Sequence, residues 1–192
     1  MLIDSKFTTL IAILLVYVAG VAFNSVHADE TIELVIIRSE HTLVVKQHGN
    51  TLRTFKVAFG SGGRKAKLQQ GDHTTPKGDY QISKIRNSNR FHIFMQLDYP
   101  NVEDAERALN DHIISRKQYQ SIVDAHRKGI LPPQNTALGG AIGIHGIGLE
   151  TKDRIDIHQV ADWTQGCIAM RNHEIEELDR YIDAGTHVSI ID

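Results

Sequence analysis

The 192-residue chain has a single cysteine, Cys167, and that scarcity excludes an intramolecular disulfide framework. It has no Cys-x-x-Cys, no His-x-x-x-His and no His-Glu-x-x-His. No ligand spacing therefore supports a zinc site, and no metal is expected. An excess of charge is missing too. Lys and Arg number 21 against 23 Asp and Glu, a formal net charge of −2, which supplies no field for holding nucleic acid or an anionic membrane surface. The densest basic stretch, "GGRKAKLQQ" from Gly62, reads as a solvated loop. Internal repeats and low-complexity tracts are absent as well.

One long apolar run is present, at the N-terminus. Lys6 precedes "FTTLIAILLVYVAGVAF", 17 uncharged residues ending at Phe23, and Val26-His27-Ala28 places small residues at −3 and −1. That order is a secretory signal with cleavage after Ala28. Residues 1–28 are thus expected to be a signal peptide and residues 29–192 one domain large enough for a real core. The run is near the lower limit for a membrane span, so an uncleaved anchor tethering the chain to the membrane is the competing reading. Either way the domain is expected outside the cytoplasm, in the periplasm.

From Thr31 to Phe59 the chain reads as strands: "IELVIIR", "TLVVKQH" and "TLRTFKVAF", with Gly49-Asn50 as a hairpin signal between the last two. A Gly-rich loop, residues 60–78, leads to "DYQISKIR" and "FHIFMQLD", again strand-like. Residues 101–129 are predicted helical, with Asn101 as cap, Asp104 completing a capping box, and Gly129 and Pro132-Pro133 ending the segment. "ALGGAIGIHGIG" reads as a strand, residues 173–184 as a helix capped by Asn172 and stopped by Gly185, and "HVSII" as a last strand.

An unpaired thiol in an oxidising compartment invites oxidation, so Cys167 in "DWTQGCIAM" needs a use. Burial as a small hydrophobe is one reading. Nucleophilic catalysis is the other, and the flanks suit it. Gly166 lets a carbonyl approach the backbone, Thr164 sets a hydroxyl beside the thiol, and the N–H groups of Gln165, Gly166 and Cys167 are candidate oxyanion donors. A nucleophilic thiol also needs a base. Among the histidines, His145 in "GIHGIG" is the best candidate: it ends an apolar strand, and Gly146 suits a turn that lets substrate pass close. His158, His173 and His187 have weaker claims.

His145-Gly146, 17 residues, then "TQGC" ending at Cys167 resembles the signature of the L,D-transpeptidase catalytic domain, the YkuD-like family. "GDHTTPKGDY", from Gly71, is similar to the family's upstream element. "ALGGAIGIHG" and "GCIAMRNHEIEELDRYIDAGTHVSI" are similar to its approach to the histidine and its closing helix and strand. The resemblance spans the chain from about Thr31. It implies a mainly β (α+β) fold, a sandwich or barrel with helical insertions, acting without a cofactor on peptidoglycan stem peptides. Cys167 would be the nucleophile and His145 the base, with Gly146, Thr164, Gln165 and Gly166 contacting substrate. The reaction implied is acyl transfer at the bond between an L-diamino acid and D-Ala, cross-linking stems or attaching protein to the wall, with sensitivity to carbapenems. Two departures stand out. Gln165 occupies a position where many members have His, and the first basic residue after the cysteine is Arg171, the remaining candidate for carboxylate recognition. Hydrolysis of the same type of bond, including lipoprotein detachment, and a non-catalytic wall-binding module are the alternatives. The segment 101–129 is expected either to cover the site or to pack as a flank.

Overall fold

The computed structural model describes residues 31–192; the expected leader, residues 1–28, lies outside the described residues. Eight strands form one sheet: β1 (Ile32–Ile37), β2 (Thr42–Gln47), β3 (Asn50–Lys56), β4 (Gly78–Ser88), β5 (His92–Leu97), β6 (Gly143–Gly146), β7 (Ile168–Met170) and β8 (His187–Ile191). Their order is β3-β2-β1-β8-β4-β5-β6-β7. Most neighbours are antiparallel, but β1 pairs parallel with β8, and β6 parallel with β7. Apolar residues alternate along the strands as a one-face core demands: Leu34 and Ile36, Leu43 and Val45, Tyr80 and Ile82, Val188 and Ile190 are all buried.

The two outer strands are brought together. Beyond β3 the chain continues as Val57–Gly60 and runs along β7. Ala58 N–H donates to Ala169 at 2.9 Å, and Ala169 N–H donates back at 2.8 Å. A further bridge joins Gly60 to Thr164. The sheet is thereby nearly closed, like a barrel. With four helices added, the mainly β architecture with helical insertions is the one the sequence predicts.

Local details differ from expectation. The turn between β2 and β3 is His48-Gly49, one residue earlier than Gly49-Asn50; both residues have positive φ, 52° and 75°, as a two-residue hairpin requires. The helical segment 101–129 is two helices, α1 (Val102–Asn110) and α2 (Arg116–Arg127). The Asn101/Asp104 capping box forms as predicted, and a second box, Ser115 with Gln118, starts α2. Ala105, Ala108 and Ile122 bury themselves in the core, so this insertion is a packed flank. A helix absent from the sequence reading, α3 (Lys152–Val160), is capped by Thr151. The last helix, α4 (Asn172–Leu178), is shorter than residues 173–184, and its cap is Arg171. Asn172 is used elsewhere: its amide bonds both the N–H and the carbonyl of Gly148, at 3.1 and 2.6 Å.

The loop between β3 and β4 is organised by Asp72. Its carboxylate accepts from the N–H groups of Leu68, Gln69 and Thr74 at 2.7, 3.0 and 3.0 Å, and from Lys67 Nζ at 2.8 Å. Burial alone would raise its pKa; the hydrogen bonds from Lys67 and the three N–H groups outweigh burial and hold it at about 2, against 3.8 unperturbed. A depressed folded-state pKa stabilises above the unfolded value, and that stability disappears as pH falls through the folded value. Asp72→Asn is therefore expected to lower stability at pH 7 by about 2 kcal/mol. Thermal unfolding against pH should show the wild-type advantage shrinking between 3.8 and about 2.

Candidate active site

Parallel pairing of β6 with β7 sets the site's geometry. His145 is in register with Ala169. Cys167 lies two residues before Ala169, so strand alternation directs both side chains to one face. Both line a cleft of about 490 Å³. The thiol bonds the Ala141 carbonyl, Sγ to O 3.5 Å.

The cysteine is carried by a tight turn. Thr164 Oγ1 donates to the Cys167 carbonyl at 2.7 Å and accepts the Gly166 N–H at 3.1 Å. Thr75 lies beneath: its hydroxyl accepts the Gly60 N–H at 2.9 Å and reaches the Cys167 carbonyl at 3.5 Å. Gly166 has φ +120°, and a Cβ there would stand 2.9 Å from the Thr74 carbonyl oxygen and 3.1 Å from Ile142 Cδ1. Gly60 backs onto it, with a notional Cβ 2.9 Å from Gly166 Cα. These glycines are required because loop 60–75 packs against the cysteine turn. This corrects the expectation that Gly166 leaves room for substrate. The Gly166 N–H is also engaged, whereas the N–H groups of Gln165 and Cys167 make no hydrogen bond among the described residues.

His145 is 2% exposed. Its ring lies 4.2 Å from Phe91 and 6.1 Å from Phe94, centroid to centroid, with Trp163 edge-on at 6.1 Å. Nδ1 is 2.8 Å from the Gly146 carbonyl, which only accepts, so Nδ1 carries the hydrogen and Nε2 offers its lone pair. Burial pushes the imidazole pKa down to about 4, opposed by the Gly146 bond and assisted by the Arg90 charge. Burial likewise pushes the thiol up to about 11, against the Gly143 N–H and the charges of Lys67 and Arg90. The resting pair is thus a neutral thiol and a neutral imidazole.

The other predicted residues divide. Thr164 and Gln165 line the cleft beside Cys167. Gly146 does not: it is buried against the Asn172 side chain and the Phe91 carbonyl, 2.6 and 2.8 Å from its notional Cβ. Its part is to fix the His145 tautomer. Arg171 is not brought to the cleft either, because it pairs with Glu150 at 2.9 Å. His158 stands behind Trp163, accepting its indole N–H at 3.4 Å, and His173 and His187 are exposed. Lys67, Arg86, Arg90 and Trp163 do line the cleft and were missed. Their only signal was indirect: Arg86, Phe94 and His145 form one cross-strand row over β4, β5 and β6, which single-strand alternation does not reveal. Among the described residues no cluster of His, Cys, Asp or Glu is arranged to hold a metal ion.

Residues 31–190 match the YkuD family, the L,D-transpeptidase catalytic domain. The chain belongs to this family. The family acts on peptidoglycan stem peptides. No curated protein matches the sequence significantly. The YkuD fold is shared with solved structures. The helical cell shape determining protein Pgp2 from Campylobacter jejuni superposes with TM-score 0.55 at 20% identity, over 83% of this chain and 47% of that one. Bd1075 from Bdellovibrio bacteriovorus superposes with TM-score 0.53 at 17% identity, over 84% and 48%. The chain spans just under half the length of these two proteins, and at such identities the likeness is one of fold.

Two outcomes are expected for this YkuD site. Gly166→Ala should cost about 2 kcal/mol or more, because it combines a left-handed backbone with a contact to the Thr74 carbonyl; thermal unfolding measures it. Titration of Cys167 by thiolate absorbance should give a midpoint near 11, with no thiolate signal at pH 7.

Proposed function

We propose that this chain is a cysteine-dependent peptidoglycan L,D-transpeptidase, and the observation that carries the proposal is the single cleft shared by Cys167 and His145. The donor is a stem peptide ending in an L-diamino acid joined to D-Ala. As Sγ of Cys167 attacks the carbonyl carbon between them, Nε2 of His145 takes the thiol proton. The negative charge on the tetrahedral oxygen is met by the N–H groups of Gln165 and Cys167. When the intermediate collapses, the C–N bond breaks and the proton passes from His145 to the departing D-Ala amine. The product is a thioester on Cys167. An amine of a second stem, or of a protein to be anchored, then attacks it, with His145 again handling the proton; water in place of the amine gives hydrolysis. The place of action is the wall, reached by export through residues 1–28.

A neutral pair fits this sequence. The base must be unprotonated to work, and with a pKa of about 4 His145 is unprotonated at neutral pH. Proton transfer from the thiol then accompanies attack, so no preformed ion pair is needed.

Incubation with disaccharide-tetrapeptide, with and without an acceptor amine, tests the proposal. Wild-type protein is expected to release D-Ala and, with acceptor, to form the transfer product. Cys167→Ala should reduce release by about 10³-fold or more. D-Ala release persisting in Cys167→Ala would end the mechanism. A carbapenem should add one mass equivalent, at Cys167 alone. The pH dependence of kcat/KM should be flat near neutrality and fall about tenfold per pH unit below a pKa near 4.

A further inference from the structure

The cleft that holds Cys167 is one-sided in charge. Lys67, Arg86 and Arg90 line it with His73 and His145, and no Asp or Glu does, although the whole chain is net negative. Not all three cations are available. Lys67 is buried and bonded to Asp72 at 2.8 Å and to the Gln69 carbonyl at 3.2 Å. Arg86 and Arg90 have no carboxylate partner among the described residues. Arg38, Arg53, Arg107, Arg127 and Arg171 do have one, whereas Arg64, Arg116, Arg154 and Arg180, like Arg86 and Arg90, have none among the described residues but do not line the cleft.

The two free guanidiniums are held in place by aromatic rings. Arg86 lies 4.8 Å over the Phe94 ring, and Arg90 lies 4.8 Å over the Phe91 ring. These are the rings that pack His145. Arg86 pairs across β4–β5 with Phe94, and Phe94 across β5–β6 with His145, so Arg86 stands two strands from the imidazole on the same face. Arg90 is in the turn that joins β4 to β5. A guanidinium placed over a ring face still has N–H groups free for the two-bond fork that grips a carboxylate. Stacking also restrains two long side chains in advance of binding, which lowers the entropy lost on binding.

We propose that Arg86 and Arg90 form an anion subsite that takes a carboxylate of the donor stem peptide and sets the scissile carbonyl over Cys167. The inference rests on the function proposed above and adds the group by which the donor is read. Two stem carboxylates have this chemistry: the terminal one of the departing D-residue, and the second one of a diamino-dicarboxylic acid at the third position.

The test is calorimetric binding of three ligands to full-length Cys167→Ala protein: disaccharide-tetrapeptide, its C-terminal amide, and the analogue amidated at the third-residue carboxyl. The free acid should bind roughly tenfold or more tighter than one of the amides, and which amide is weakened identifies the carboxylate. Adding Arg86→Gln or Arg90→Gln should weaken the acid by a similar factor, leave that amide unchanged and so erase the preference. Arg90→Lys should restore only part of it. Equal affinity for the acid and both amides overturns the subsite. So does a preference that survives both Arg→Gln changes, or no measurable binding of any of the three. Because binding is read without turnover, this result is separate from that of the catalytic reading, which fails if wild-type protein releases no D-Ala.

Discussion

Two backbone hydrogen bonds between Ala58 and Ala169 hold the candidate site together. They join the chain leaving one outer strand of the sheet to the other outer strand, β7, whose first residue follows Cys167. Without them the sheet would have an open side where the cysteine turn sits. With them, loop 60–75 is pressed against that turn closely enough that Gly60 and Gly166 meet backbone to backbone. The Thr164 and Thr75 hydroxyls then fix the Cys167 carbonyl from two directions. The thiol's position is therefore set by long-range closure of the sheet, and Asp72 keeps the closing loop in shape by gathering three N–H groups and one ammonium.

Desolvation is the second theme. Phe91, Phe94 and Trp163 surround the imidazole, and the removal of water outweighs the hydrogen bond to Gly146, so His145 stays neutral. Loss of solvation also raises the thiol pKa, although Cys167 is only partly covered where it lines the cleft. A neutral thiol is less prone to oxidation than a thiolate, which suits a lone cysteine in a chain expected to be exported. In the proposed mechanism the nucleophile is generated only when His145 removes the thiol proton during attack.

Much of this was legible in the sequence. The β-branched runs "IELVIIR" and "TLVVKQH" pointed to strands, and the Asn101/Asp104 box to a helix start. The resemblance to the L,D-transpeptidase signature pointed to His145 and Cys167, two side chains that do share a cleft. The failures have physical causes. Helix α3 carries Ile155, Ile157 and Val160 without an amphipathic repeat, so periodicity is silent there. Asn172 looked like a cap because Asn caps well, but a contact with Gly148, distant in sequence, claims its amide. Gly166 was read as space for a ligand, yet the neighbour occupying that space comes from residue 74. Arg171 was the candidate because it is the first basic residue after the cysteine, whereas nearness in a sheet follows strand order and brings Arg86 and Arg90 to the cleft. The errors at Asn172, Gly166 and Arg171 each replaced a tertiary neighbour with a sequential one.

The placement of β8 has a consequence for how the molecule comes into being. This strand, residues 187–191, lies between β1 and β4, so it welds a three-stranded half to a four-stranded half. Before it arrives, those halves can meet only through the Ala58–Ala169 and Gly60–Thr164 bridges. A long-range parallel pairing of this kind is slow to form, and here it depends on residues made late. A ribosome or translocation channel still holding residues 187–191 would leave the halves without their central seam, and a chain threaded through a membrane would stay pliable until that strand had passed.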